Sequence, residues 1–526
     1  MNKILSFLFA RKAAACFAAL TAFYVFFPLM SAKPAFVFPH EHFFNTLQIV
    51  ENFKNAGFPT FDTLTKTNDF SLVWGGVLYL LTLACDTHAA LFFILMRAFI
   101  ALIGWASAFL MHKLARRLGF DPSNAVWFFT DSLFALMYLS QAACATGSFL
   151  AVCAVFLSAL CMMNMLEKPR FLTGFLCGLS VCAAVFTQFD AALFVLTFAL
   201  VFYFQFNGKI PVTYKQFFTF LPAFAVGLLP LYAWVAFATS YFGTPVPSTY
   251  LSWMNVKSFA PWNLFSLVVW HPVRFLARNS TQLLTVLFPV AACVLTAMTS
   301  FPKDTKKQTP RDTLFLSLLY YPLLFLAFAA LFTYVDLPSY AFYPLTVGTP
   351  FAVLFVFQKL VENLNPQEDE TKQKRQMNLC ARVLSGFLFL IAAGVVAKPL
   401  SAAYVPIAET TGDFARQNAG IYAMGRGAGI TSYLTGMPVM RIDGLASNDE
   451  MRQTIKQSAN LPETLKKRGA DYYVGLNVKK AQCFTPEEPA ETVFGRTNQA
   501  MGGWLCADPA LQKDIYPRLT LFIFKL

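Results

Sequence analysis

Charge is what this chain has least of. Asp, Glu, Lys and Arg together supply 13% of its 526 residues, about half the share of an ordinary soluble domain, which excludes a soluble multidomain protein. Apolar residues supply 57%, Phe alone accounts for 59 positions, and the mean hydropathy is +0.52. The formal charge of +13 does not indicate nucleic acid, because Lys and Arg sit in short clusters between apolar runs, where they set membrane orientation. Internal repeats and low-complexity tracts are also missing. The GRGAG at 425–429 fails the G-x-G-x-x-G spacing, so it reads as a tight strand-to-helix turn and no nucleotide cofactor is expected. Nine of the 11 cysteines fall in the first 380 residues, mostly inside apolar runs where a thiol acts as a small hydrophobe. Cys483 and Cys506 lie in a polar segment without C-x-x-C spacing, and a disulfide is open to them if that segment faces an oxidising compartment.

What the chain does have is a series of apolar runs long enough to cross a bilayer. They lie near 13–31, 92–111, 125–141, 144–166, 171–187, 190–206, 216–240, 281–300, 313–333, 341–360 and 382–398, which predicts an α-helical polytopic membrane protein of about eleven spans. The first run, preceded by Lys3, Arg11 and Lys12, is long for a signal peptide and reads as a span with a cytoplasmic N-terminus. The clusters around Lys113/Arg116/Arg117, Lys168/Arg170, Lys209/Lys215, Lys303 to Arg311 and Lys372 to Arg375 then fall in alternate loops, and an odd count puts the C-terminus outside. For this to hold, residues 71–85 must not cross. In the same outer loop, 32–90, Phe43, Phe44, Leu47, Val50 and Phe53 recur at helical spacing opposite His42, Asn45, Gln48 and Asn52, the pattern of a helix lying along the membrane interface.

The membrane module thus covers 1–399, with a second long outer loop at 241–280 whose positive groups are Lys257, His271, Arg274 and Arg278. From 400 to 526 the composition becomes water-soluble. There the pattern predicts strands at 420–424, 439–442, 472–476 and 520–524 and helices at 430–434 and 450–467, a small α/β periplasmic domain.

Candidate chemistry concentrates in the first outer loop. Glu41 stands between His40 and His42 at the head of the interfacial helix, with Asp62 and Asp69 following. A carboxylate there reaches both lipid and water, although it also suits the positive end of the helix dipole. His40 and His42 flanking it can hold a divalent ion, but an i, i+2 spacing does not put both rings on one helix face, so exposed histidines remain the alternative. Arg97 and Asp190 fall at similar depth and are placed to pair or to line the site. Asp131 lies at the other end of its span.

The order of these features resembles the GT-C superfamily of integral-membrane glycosyltransferases that use polyprenyl-phosphate sugars, in particular its bacterial arabinofuranosyltransferase and protein mannosyltransferase-like branch. The similarity is carried by FPTFDTLTKTNDFSLVWGGVLYLL after the acidic head of the loop, FTQFDAALFVL at 186–196, YFGTPVPSTY at 241–250 and GAGITSYLTGMPVMRIDGLASND at 427–449. The resemblance implies that Glu41 is the catalytic base, that a polyprenyl-phosphate-linked sugar is the donor, and that an envelope glycan, lipid or protein is the acceptor. A sugar phosphate carries its own leaving group, so one base and a cation for the departing phosphate suffice. His40, His42, Asp69, Asp190, Arg97, Arg274 and Arg278 are then the expected substrate-binding residues. The chain departs from the family pattern at His40, where a second acid is common, and at Gln188 and Ala341, where Arg is. The alternatives are an inactive scaffold of the same architecture, or a transporter, which would carry paired polar groups on broken helices at mid-membrane depth.

Overall fold

The computed structural model describes residues 17–26, 41–205, 214–247, 249–250, 290–291, 294, 309–332, 339–362, 370–396, 404–443, 449–457, 459–480, 482–488, 501–517 and 519–526. Most of the expected span at 281–300 and of the 241–280 loop lies outside the described residues. In chain order the helices of the apolar part are α1 Phe17–Phe26, then α2 Glu41–Ala56, α3 Leu72–Ala84, α4 Ala90–Arg117, α5 Asn124–Ala142, α6 Ser148–Glu167, α7 Phe171–Thr187, α8 Ala192–Gln205, α9 Tyr214–Gly227, α10 Leu229–Phe242, α11 Pro310–Phe332, α12 Tyr343–Glu362 and α13 Glu370–Val396. Four of the described helices, α4, α6, α11 and α13, are long and apolar enough to cross a membrane, and α9 with α10 gives a fifth if the bent pair is one span.

The expected straight span at 216–240 is in fact that bent pair, turning by 41° between Gly227 and Leu229. A proline in the first turn of α10, Pro230, has no N–H to continue the helix. Close packing at this bend depends on small residues. A Cβ at Gly174 of α7 would meet the Phe220 carbonyl oxygen at 2.5 Å, and Gly178 and Gly227 approach each other's helix backbones as tightly, so α7 and α9 meet through a G-x-x-x-G face. Helix α3 is 13 residues long, about 20 Å at 1.5 Å per residue, short of a roughly 30 Å hydrocarbon core. It is capped by Ser71, whose Oγ accepts from the Trp74 N–H at 3.2 Å, and anchored by Trp74 Nε1 donating to the Ala145 carbonyl at 2.8 Å.

The C-terminal part has helices α14 Val405–Gln417, α15 Ala428–Thr435, α16 Asp449–Lys456 and α17 Leu461–Lys467. Its strands are β1 Tyr422–Met424, β2 Val439–Arg441, β3 Tyr472–Leu476, β4 Lys479–Lys480, β5 Phe484–Thr485, β6 Glu487–Glu488, β7 Met501–Gly502, β8 Leu511–Tyr516 and β9 Leu519–Lys525. A five-stranded sheet runs β2-β1-β3-β9-β8; β1 is parallel to β2 and β3, while β9 is antiparallel to β3 and β8. Cys483 and Cys506 form a disulfide beside the β5 strand. The single helix expected at 450–467 is two helices. The first ends at Lys456; Asn460 caps the second, its side chain accepting from the Glu463 N–H at 3.1 Å, and Pro462 sits in the new first turn.

Helix α2 turns its apolar face into the protein. Phe43, Phe44 and Leu47 are fully buried in the bundle core, while Ile49 joins Phe61, Ile407 and Tyr422 in the core of the C-terminal part. The polar stripe is covered too: Asn45 is 2% exposed and Asn52 7%. Asn52 Nδ2 donates to the Phe61 carbonyl at 2.7 Å. The stripe serves a protein partner rather than water. Helix α15 closes on α2 at Gly429, where a side chain would overlap Asn45. Nearby, Tyr433 stacks on His88 with ring centres 4.7 Å apart and donates to the Thr87 carbonyl at 2.8 Å.

Candidate active site

Two polar assemblies flank α2. In the first, the Glu41 carboxylate begins the helix and accepts from the Gly427 N–H at 2.7 Å, while Arg441 Nη2 lies 3.5 Å away. Gly427 has φ +83, a left-handed conformation that glycine adopts without strain and that presents its N–H ahead of α15. Arg441 ends β2 and is fork-bonded to Asp443, with Nε to Oδ1 and Nη2 to Oδ2 both at 2.8 Å. Its Nη1 donates to Asn45 Oδ1, one turn along α2 from Glu41 and on the same face. Burial pushes the Glu41 carboxyl above its usual value; Arg441 opposes the rise and Asp443 reinforces it. Burial lowers Arg441, but Asp443 and then Glu41 more than reverse this and hold it above the ordinary arginine value.

The second assembly is a cavity of about 120 Å³ bordered by α2. Its wall is built from His42, Asn45 and Thr46 of α2, residues 68–72, Thr146 and Gly147, residues 185–189, the α10 face at Leu231, Trp234 and Val235, and Pro245 to Tyr250. Asp69, half-buried, lies on this wall. Thr249 donates to both of its oxygens, from N–H to Oδ1 at 3.0 Å and from Oγ1 to Oδ2 at 2.6 Å. Asn68 Nδ2 donates to the Thr244 and Val246 carbonyls at 2.9 and 3.0 Å. Gln188 Nε2 donates to the Tyr250 hydroxyl at 2.5 Å, and Tyr250 donates to Asp190 Oδ1 at 3.1 Å. Asp190 also accepts from Tyr343 at 3.2 Å. The turn before Gly147 holds Ala145 at φ 49, a strained backbone for a residue with a side chain, of the sort that gathers at functional sites.

The four segments whose order suggested a family are therefore linked: 58–81 meets 241–250 through Asp69 and Asn68, 186–196 meets it through Gln188 and Asp190, and 427–449 meets α2 through Gly427 and Arg441. Individual residues fall differently. His42 and Asp69 line the cavity; Glu41 is not among the residues that do. Asp190 sits behind the wall, reached through Tyr250. Arg97 is held by α1, donating from Nη1 to the Tyr24 carbonyl at 2.8 Å with its guanidinium 4.9 Å from the Tyr24 ring centre, so the expected Arg97–Asp190 pair is replaced by separate partners. His40, Arg274 and Arg278 lie outside the described residues. No Lys or Arg is among the described residues lining the cavity, and no group of three or more His, Cys, Asp or Glu is arranged to hold a metal ion among the described residues.

Sequence reasoning missed Arg441, Asp443, Asn45 and Thr249. A signal existed: Arg441 interrupts the apolar strand V-M-R-I-D with an acid two residues on, and a charge in a buried strand needs a partner. Asn45 is the link between assemblies, because its Oδ1 holds Arg441 while the residue also lines the cavity. Its buried Nδ2 has no hydrogen-bond partner among the described residues.

The architecture is shared with solved membrane enzymes. Over 97% of both chains it superposes on ArnT from Cupriavidus metallidurans, solved with undecaprenyl phosphate bound, at a TM-score of 0.55 and 11% identity. The chain has their fold, the GT-C fold. A second match, at a TM-score of 0.50 and 10% identity, covers 88% of this chain and 69% of the archaeal oligosaccharyltransferase AglB from Archaeoglobus fulgidus, solved in complex with an inhibitory peptide and a dolichol-phosphate. No family model and no curated protein sequence matches the chain.

Proposed function

We propose that this protein is a membrane glycosyltransferase that moves a sugar from a polyprenyl-phosphate donor to an envelope glycan, lipid or protein at the periplasmic face. The observation that carries the reading is a cavity walled by α2 and by three of the separated segments, in which the Asp69 carboxylate, oriented by Thr249, lies beside the loop at 241–250. Both solved structures of this fold hold a polyprenyl-type phosphate, which supports the donor class.

In this reading the base role first expected at Glu41 passes to Asp69. The Glu41 carboxylate is engaged by Gly427 and Arg441, so it positions α2 rather than meeting the acceptor. Asp69 takes the proton of the acceptor hydroxyl as that oxygen bonds to the anomeric carbon; the bond from that carbon to the phosphate oxygen breaks, and the electron pair leaves with the polyprenyl phosphate. Attack from the face opposite the phosphate gives inversion. Thr249 orients the carboxylate, which accepts hydrogen bonds at about four positions. His42 and Asn45 face the polar part of the donor, Asp190 stiffens the wall through Tyr250, and the departing charge is assigned to Arg274 or Arg278. The test is a comparison of lipid-linked sugars and envelope polymers in cells carrying the wild-type chain, Asp69→Asn or Glu41→Gln. Asp69→Asn should accumulate donor and lose product, whereas Glu41→Gln should keep transfer. Loss of transfer in Glu41→Gln but not in Asp69→Asn would return the base to Glu41, retention in both would remove the base from either carboxylate, and identical products in cells with and without the wild-type chain would leave a scaffold.

A further inference from the structure

A second, larger cavity lies at the other end of the bundle. It occupies about 820 Å³ between α1, α4, α5 and α13, within the range of pockets that bury a small organic ligand. Its position follows from helix length: Ala90 begins α4 near the C-terminal part, and His112 is 22 residues further along, about 33 Å away at 1.5 Å per residue. It therefore shares nothing with the Asp69 cavity.

The lining is divided by chemistry. One side is apolar and open to the hydrocarbon, with Trp105 38% and Phe109 67% exposed and Phe389 across from them. The other side carries Lys113, Arg116 and Arg117 in the last turns of α4. The one carboxylate in the lining, Asp131, is bonded to His112 Nε2 at 2.7 Å, and the His112 ring stacks on Trp127 with centres 4.3 Å apart. Arg117 is fixed by Asn164 Oδ1 at 2.5 Å. Lys113 and Arg116 are exposed and have no acidic partner among the described residues. A trough that combines an open aromatic wall with a cationic rim fits an amphiphile with one anionic head, not a soluble anion, which would gain nothing from the apolar wall.

We propose that this cavity binds one anionic glycerophospholipid, its phosphodiester held by Lys113 and Arg116 and an acyl chain laid along Trp105, Phe109 and Phe389. Basic clusters at the ends of membrane helices hold lipid head groups in this manner. The His112–Asp131 contact keeps the carboxylate from opposing the phosphate.

The full-length protein, purified in a neutral detergent, would be titrated with dioleoyl phosphatidylglycerol and separately with dioleoyl phosphatidylcholine, and bound lipid counted by native mass spectrometry. The expected result is a single saturable phosphatidylglycerol, with phosphatidylcholine held about tenfold more weakly. The double variant Lys113→Ala/Arg116→Ala should lose about tenfold in phosphatidylglycerol affinity at an unchanged unfolding temperature, since both side chains are exposed. Phe109→Ala should weaken both lipids, reporting the acyl contact. Equal retention of the two lipids, an unaltered affinity in the double variant, or displacement of phosphatidylglycerol by millimolar inorganic phosphate alone would overturn the proposal.

Discussion

Glu41 and Asp69 belong to the same stretch between α1 and α4, yet the fold puts them to opposite uses. Glu41 is 9% exposed, bonded to a backbone N–H and facing an arginine that is itself 3% exposed. Asp69 is half-buried on a cavity wall, with Thr249 donating to both of its oxygens and Arg441 within reach of its charge. A carboxylate enclosed by a saturated ion-pair network joins parts of a protein; one that is oriented but still borders open space can exchange a proton with a ligand. Position at the head of a helix in the right loop does not separate the two cases, whereas the partners do.

The strongest way to break the comparison is Asp69→Asn. Loss of a general base should lower transfer by about 10²- to 10⁴-fold while the unfolding temperature moves little, because the side chain is half-buried. An assay of sugar transfer beside a thermal melt reads both. Arg441→Met should do the reverse. It leaves Glu41 and Asp443 buried without their cation, a situation that costs about 3–5 kcal/mol, and it should release the C-terminal part from α2. Hydrogen–deuterium exchange of the α2 and α15 amides would show it as lost protection. Unchanged exchange in Arg441→Met would mean the ion-pair network is not what joins the two parts.

How much of this was readable in the residues divides along the same line. The helices were legible because a bilayer demands long apolar runs: ten of the eleven runs coincide with described helices, of which four are long and apolar enough to cross and a bent pair makes a fifth; the strands at 420–424, 439–442, 472–476 and 520–524 were legible as short apolar runs between turn residues. Strand β8 was not, because Leu511–Tyr516 is an edge strand with a mostly exposed, charged sequence, and neither was α14, which falls where the composition has already turned polar. The role of α2 was hidden for a physical reason. A polar helix face looks the same whether it meets water or a matched polar partner, and the partner, Arg441, is 396 residues away from Asn45. Only the pairing distinguishes them.

A smaller effect sharpens the distinction. Glu41→Gln keeps an acceptor for the Gly427 N–H and leaves Arg441 forked to Asp443, so the expected cost is about 1–2 kcal/mol. Its pH dependence is more diagnostic than its size. Because burial, despite Arg441, raises the Glu41 carboxyl above its ordinary 4.5, the folded state holds this proton more tightly than the unfolded one. Its contribution is therefore greatest at low pH; it declines as pH rises past 4.5 and levels off above the raised folded value. An exposed salt bridge would give the opposite slope. Thermal melts of wild type and Glu41→Gln over this window should differ most at the acidic end, and a difference that grew with rising pH would refute the assignment.

The least of the expected effects tests whether docking is polar throughout. Tyr433 joins α15 to the loop before α4 by one hydrogen bond to the Thr87 carbonyl and by ring contacts with His88 and Phe44. Tyr433→Phe removes the bond and keeps the rings, which should cost about 0.5–1.5 kcal/mol and leave the α2 and α15 amides protected from exchange. If the melt of Tyr433→Phe fell as far as that of Arg441→Met, the second contact would carry as much of the junction as the first. The contrast between a charged joint at Glu41 and an open carboxylate at Asp69 would then rest on the cavity alone.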